Sequence, residues 1–231
     1  MDQSSHTDRP DPVLGHSKTS DGQKLWSESD LCNILLTPEK LLQAQPRQIS
    51  TESGSLPIPQ HLNFGIKSQE EELVFQTLPD VASQQAFFAA ERAQFDPANE
   101  RHVQLSQNFE AKAKINAVHL SRLADLRNAS AAGIAAENRR RCVEAFSPPD
   151  KPNDTGRSEV QAAILTAQIR SLHSHLQQHT HDIHNRRSLR ILVHKRAKIL
   201  RYLKRTAPDR YIAVLPRLGL EAKAVEGELI V

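Results

Sequence analysis

The stretch from Asn153 to Tyr202 constrains this chain more than any other, because it carries helical periodicity on both sides of one short break. Asp154, Thr155 and Gly156 form a turn ahead of it. Ser158 fits a helix N-cap, with Gln161 three residues on completing a capping box. Val160, Ile164, Ala167, Leu172 and Leu176 then recur near helical spacing. A second helix begins near Asn185, with Leu189, Leu192, Val193, Leu200 and Leu203 as its apolar face. Its other positions carry Arg186, Arg187, Arg190, Lys195, Arg196, Lys198, Arg201, Lys204 and Arg205, offset locally by Asp182 in the turn. The expectation is an αα-hairpin with one apolar seam and one basic surface.

Charge follows the same division. Residues 1–147 hold 15 Lys/Arg against 19 Asp/Glu, a net −4, while residues 148–231 hold 15 against 8, a net +7. A basic domain favours polyanions; a solvated helix face is the other reading of the same residues. Cys32 and Cys142 are far apart and belong to no metal or redox motif, so neither a disulfide framework nor a cysteine zinc site is expected, and a reducing compartment is the simpler reading. No apolar run reaches the eighteen residues of a membrane span. The first thirty residues carry six acids against three bases, which is neither a secretory signal nor the Arg-rich pattern of a mitochondrial presequence.

Residues 1–80 are punctuated by Pro10, Pro12, Pro38, Pro46, Pro57, Pro59 and Pro79. Their short apolar pieces, Leu31–Leu36 and the stretch around Glu70–Leu78, bury too little alone to offset chain entropy, so this part is expected to be largely disordered. Residues 81–137 read as a helical extension. One helix runs from Val81 to Phe95 and is stopped by Asp96-Pro97. A longer one covers 99–127, with a partial stripe of Val103, Phe109, Ala113, Leu120, Leu123 and Leu126 that marks packing. Residues 128–133 break the pattern, and Ile134–Phe146 resumes it. Pro148, Pro149 and Pro152 then make a linker. After the hairpin, Thr206 caps a last helix with Pro208 in its first turn. Tyr211, Ile212, Leu215 and Leu218 face the hairpin and Gly219 ends it. Pro216 lies inside this helix and is expected to kink or shorten it.

Six of the eleven histidines fall in one window: His173, His175, His179, His181, His184 and His194. His175 and His179 share a helix face at a spacing zinc accepts, with Asp182 or His184 as a third ligand. The surrounding arginines oppose a cation, and no Ser or Cys nucleophile sits in a recognisable catalytic motif. No cofactor or metal is therefore expected. The same residues suit a double-stranded RNA minor groove, which displays 2′-hydroxyls and base edges. There the exocyclic amine of guanine is a donor, for which the Asp182 carboxylate is a matching acceptor. His175, His179 and Asn185 supply further polar contacts, and Arg186 and Arg187 hold phosphates on either side.

NDTGRSEVQ, LTAQI, the His-bearing turn ending in Asn185-Arg186-Arg187, YLKR and RLGL stand in an order and spacing that resemble the bacterial-type small-subunit ribosomal protein fifteen family, from about Asn138 to Leu220. The resemblance implies an all-α fold: a four-helix RNA-binding domain over 138–220 with two long antiparallel helices and a tail at 221–231. It implies a structural protein of the small ribosomal subunit, not an enzyme. It would bind a three-way junction of small-subunit ribosomal RNA and a nearby minor groove with a G·U/G·C pair. His175, Asp182 and Asn185 match the family's minor-groove residues; Thr155, Gly156, Gln161 and Tyr202 match its junction residues. For Tyr202 a place in the core beside Leu203 is the alternative from sequence alone. Neighbouring ribosomal proteins, and the large subunit across an intersubunit bridge, are the implied partners. Members with long extensions are commonly mitochondrial, which implies a mitochondrial ribosome, or a cytoplasmic one if the chain is bacterial. This chain departs from the family at Thr180-His181 and Ile183, which lower the positive charge of the turn. Two other classes remain open on sequence: a DNA-binding or regulatory helical protein using the basic hairpin, and a zinc-binding protein using the histidines.

Overall fold

The computed structural model describes residues 10–51, 54–66, 68–92 and 100–226. They form two compact units, one made of residues up to 35 together with those from 135 onward, the other spanning 36–134.

The first unit is built on α8 (Ser158–Gln178) and α9 (Ile183–Thr206), antiparallel neighbours joined by four residues, with α7 (Ala131–Phe146) and α10 (Pro208–Leu218) beside them. Val160, Ala163 and Ile169 of α8 meet Leu189, Val193, Leu200 and Leu203 of α9, all buried. These positions recur every three to four residues, so one stripe of each helix is apolar and the pair buries it. Cys142, Val143 and Phe146 of α7 and Tyr211, Val214, Leu215 and Leu218 of α10 close the same core.

Several local expectations change. Ser158 is the first helical residue of α8 and not its cap: Arg157 stands in the cap position with no side-chain bond, and Gln161 Nε2 donates to the Thr155 carbonyl at 2.6 Å instead of closing a capping box. α9 starts at Ile183, two residues before Asn185, because Asp182 caps it. Thr206 ends α9, its hydroxyl donating back to the Tyr202 carbonyl at 3.0 Å, and Ala207 occupies the cap position of α10. Ile212 is 68% exposed, while Tyr211, Leu215 and Leu218 face the core as expected. Pro216 does not shorten α10, which runs two residues past it. In the last turn its missing N–H leaves unmet only the carbonyl of exposed Ile212, which water reaches. Gly219 terminates the helix at φ 66°, with the Leu220 N–H returning to the Leu215 carbonyl at 3.0 Å. A Cβ there would also lie 2.9 Å from Trp26 Cε3, so both conformation and space require glycine.

The largest departure is in residues 10–35, expected to be largely disordered. They carry α1 (Ser20–Ser27) and α2 (Asp30–Ile34), capped by Thr19 and Ser29, and they pack into the first unit. Leu31 is fully buried and Leu35 nearly so, in the same cluster as Leu200, Val214 and Leu218. The short apolar run does not have to stabilise itself, since burying one such leucine contributes about 1.5–3 kcal/mol wherever the partner surface comes from. Two polar ties add direction: Ser17 N–H donates to Glu221 Oε1 at 2.6 Å, and Arg217 Nε to Asp30 Oδ2 at 2.7 Å. The described part of the tail forms α11 (Ala222–Glu226), whose Ala224 and Val225 are buried.

The second unit holds α3 (Pro38–Gln43) and a two-stranded antiparallel ribbon of β1 (Arg47–Thr51) and β2 (Gly54–Ile58) in register Ile49 to Leu56. Then come α4 (Ser68–Glu72), a π-helical turn Leu73–Thr77, α5 (Leu78–Arg92), α6 (Glu100–Leu123) and a 3₁₀ turn Leu126–Asn128. The ribbon was not foreseen from sequence. Ile58, Leu62, Phe75 and Ala124 form one small cluster, and Leu36, Leu41 and Leu126 another. Among the described side chains of α6 the buried positions are Ala117 and Ser121, continued by Ala124 just past its end; of the expected stripe Leu126 is buried, while Leu120 and Leu123 are exposed. The Asp96-Pro97 stop and the Val103 side chain fall outside the described residues. Among the described residues no helix is long and apolar enough to cross a membrane.

Candidate nucleic-acid interface

The hairpin turn is held by one carboxylate. Asp182 Oδ1 accepts from the Asn185 backbone N–H at 3.0 Å, capping α9, and Oδ2 accepts from Asn185 Nδ2 at 2.6 Å and His175 Nε2 at 3.1 Å. The cap starts the second helix and the histidine bond ties it to the last turn of the first. Donation from the Asn185 backbone, then from His175 and the Asn185 side chain, holds the carboxyl down at about 2. It is therefore an acceptor only at neutral pH. His179 ends α8 and is exposed, its ring 4.6 Å from that of His175. Arg186 Nη2 donates to the Thr180 carbonyl at 2.5 Å, closing the turn, and Arg187 is exposed on the next position. The structure thus brings His175, His179, Asp182, Asn185 and Arg186 together. His173 instead accepts from Gln177 Nε2 at 3.2 Å. Among the described residues no group of three His, Cys, Asp or Glu side chains is placed to hold a metal ion.

Thr155, Gly156, Gln161 and Tyr202 gather at the other end of the hairpin, since α8 spans about 30 Å at 1.5 Å per residue and α9 returns alongside it. Gly156 N–H donates to Asp154 Oδ1 at 3.1 Å, and Gln161 reaches over the turn to Thr155. A Cβ at Gly156 would meet only that carboxylate oxygen, at an ordinary 3.5 Å, and its φ is not left-handed. The fold itself therefore tolerates a side chain there. Tyr202 is 52% exposed while Leu203 beside it is buried, so it is a surface residue and not a core one. Glu159, buried, fixes this end: it accepts from Arg210 Nε and Nη2 at 2.7 and 2.9 Å and from Arg157 Nε at 3.2 Å, clamping α10 to the start of α8.

Between the two ends, Arg190, Lys195, Lys198 and Arg201 are exposed along α9. Arg196 is not part of that surface. It is 2% exposed and donates through Nη2 to the Pro12 and Val13 carbonyls at 3.0 and 2.9 Å. The signal was available, because Arg196 falls three residues after Val193 and four before Leu200, on the seam itself. Trp26, the chain's one tryptophan, was also missed; it covers Arg170 of α8.

Fold and surface together define an α-helical protein that presents a rigid polar turn, a cationic helix and an open polar end on one hairpin. Residues 147–221 match the family model described as Ribosomal protein S15. The small ribosomal subunit protein uS15 of Shewanella loihica is 53% identical over 68 residues, which cover 29% of this chain and 76% of that protein. The protein of the same name from Shewanella putrefaciens matches with the same identity and coverage. The chain belongs to the ribosomal protein S15 family.

Proposed function

We propose that the chain is a structural constituent of the small ribosomal subunit, binding small-subunit ribosomal RNA through both ends of the α8–α9 hairpin. The observation that carries the reading is the turn: an ionised Asp182 beside His175, His179 and Asn185, flanked by Arg186 and Arg187. A shallow minor groove offers a guanine amine and 2′-hydroxyls, and this turn offers an acceptor between donors. Asp182 meets the G·U/G·C element, and the exposed lysines and arginines of α9 meet phosphates along the way. Thr155, Gly156, Gln161 and Tyr202 meet the three-way junction, with Gly156 letting a phosphate approach the backbone and Tyr202 stacking or donating its hydroxyl. The role is architectural: the hairpin fixes the angle between two RNA elements, readying a site for neighbouring ribosomal proteins and an intersubunit bridge. The residues before 147, absent from the matched region, support a mitochondrial ribosome as its setting and carry contacts to other ribosomal components. The test is sedimentation of a tagged full chain from mitochondrial and cytoplasmic fractions. Co-migration with small-subunit rRNA in the mitochondrial fraction is expected; absence from ribosomal particles of either fraction overturns the assignment.

A further inference from the structure

The chain continues past the family-matched residues 147–221 into α11, which is seated on the last turns of α9. The apolar side of α11 is fixed: Ala224 and Val225 are buried, and Val225 joins the cluster of Leu200, Leu203 and Tyr211. Its approach is fixed as well. The Glu221 N–H donates to the Gly15 carbonyl at 2.7 Å, and Glu221 Oε1 accepts from the Ser17 N–H at 2.6 Å. The polar side is turned to α9 and α10. Arg201 Nε donates to the Val225 carbonyl at 3.1 Å. Glu226 Oε1 accepts from Lys204 Nζ at 2.7 Å and from the Tyr211 hydroxyl at 3.0 Å. Those two bonds, Lys204 first, hold the Glu226 carboxyl below its ordinary range, so it is ionised at neutral pH.

These contacts fall beside the row of α9 side chains available to RNA. Lys198, Arg201 and Arg205 recur at three- and four-residue spacing and are exposed, with Tyr202 next to them. On Lys204 the Glu226 carboxylate does what a phosphate oxygen would do there: it accepts from an ammonium. The pair is open to water, with Lys204 50% and Glu226 37% exposed. Such pairs are weak, and only the Glu226 side chain has to turn for the lysine to come free while buried Val225 stays in place. Glu159 is the contrast within the same domain: 9% exposed between Arg157 and Arg210, it is a clamp that cannot exchange without opening the fold.

We propose that Glu226 is a built-in competitor for RNA phosphate at the junction end of the hairpin. It occupies Lys204 in the free protein and gives it up when a phosphate arrives. The proposal rests on the reading that the hairpin binds RNA, and it adds a contact from outside the matched region that lowers the affinity for every RNA reaching Lys204.

The test titrates the full chain onto a plain RNA duplex and onto the three-way junction across a salt series. Glu226→Gln is expected to keep the helical spectrum and to bind the plain duplex about two- to fivefold more tightly, the range an exposed ion pair is worth. The gain is largest at low salt, because salt screens the pair that wild type has to break. In a Lys204→Gln background the same change is expected to add nothing, which separates release of Lys204 from a general loss of negative charge. Equal affinities for wild type and Glu226→Gln, or a gain that survives in Lys204→Gln, overturn the competitor. The junction is read separately: a wild-type chain that binds both RNAs equally defeats the junction reading and leaves the comparison on the plain duplex intact.

Discussion

Replacing Asp182 separates the two tasks assigned to the turn. In Asp182→Ala three hydrogen bonds go at once: the cap to the Asn185 N–H, the bond from Asn185 Nδ2, and the link from His175 Nε2. Loss of one N-cap in a chain of this size lowers Tm by about 2–4 °C, and that is the expected fall. Asp182→Asn keeps an oxygen for the cap but turns an NH₂ toward two donors, so it melts closer to wild type. Against RNA carrying the G·U/G·C element, Asp182→Ala is expected to lose affinity on the order of tenfold, the worth of one good base-edge contact, with little loss against a duplex lacking that element. Thermal melts by circular dichroism and filter-binding titrations on matched RNAs read both quantities. An alanine variant that melts with wild type means the cap does not hold α9 in solution; equal losses on both RNAs mean the carboxylate reads no base.

Three further outcomes follow from the same geometry. Gly156→Ala is expected to melt with wild type, because the fold leaves room for a Cβ, yet to bind the three-way junction more weakly in a gel-shift titration. Acid melts are expected to lose stability as pH falls from about 4 toward 2: the Asp182 carboxyl stands below its ordinary 3.8, so its contribution is complete above that value and disappears as the folded group protonates. Glu137 adds in the same direction; burial raises it, but the bonds from Arg140 and Arg141 outweigh that and leave it lowered. Leu200→Ala, at a fully buried seam position, is expected to cost about 2–5 kcal/mol in urea unfolding with the midpoint shifted and the slope unchanged.

The hairpin was legible because its period is simple: Leu189, Val193, Leu200 and Leu203 face one way and the exposed lysines and arginines the other. The turn was legible as chemistry but not as structure. Asp182 followed three residues later by Asn185 is a helix start, and reading Asp182 only as an RNA acceptor moved the start of α9 two residues too late. Residues 10–35 were not legible, since Leu31 and Leu35 find their partners more than a hundred residues away and no local pattern reports that. Arg196 shows the opposite error. Its position fitted the seam, but its charge suggested the surface, and only the carbonyls of Pro12 and Val13 explain how an arginine is accommodated there. Tyr202 was ambiguous by composition and became clear once Leu203 took the inward place.

The most direct test of the central claim is titration of the full chain onto a small-subunit rRNA fragment that contains both the three-way junction and the G·U/G·C helix, repeated with each element replaced in turn across a salt series. Two-ended recognition predicts that either replacement weakens binding at every salt concentration, that Asp182→Ala is insensitive to loss of the G·U/G·C element, and that Gly156→Ala is insensitive to loss of the junction. Equal affinity for all fragments, with only a common salt slope, would contradict it and reduce the hairpin to a general cationic surface.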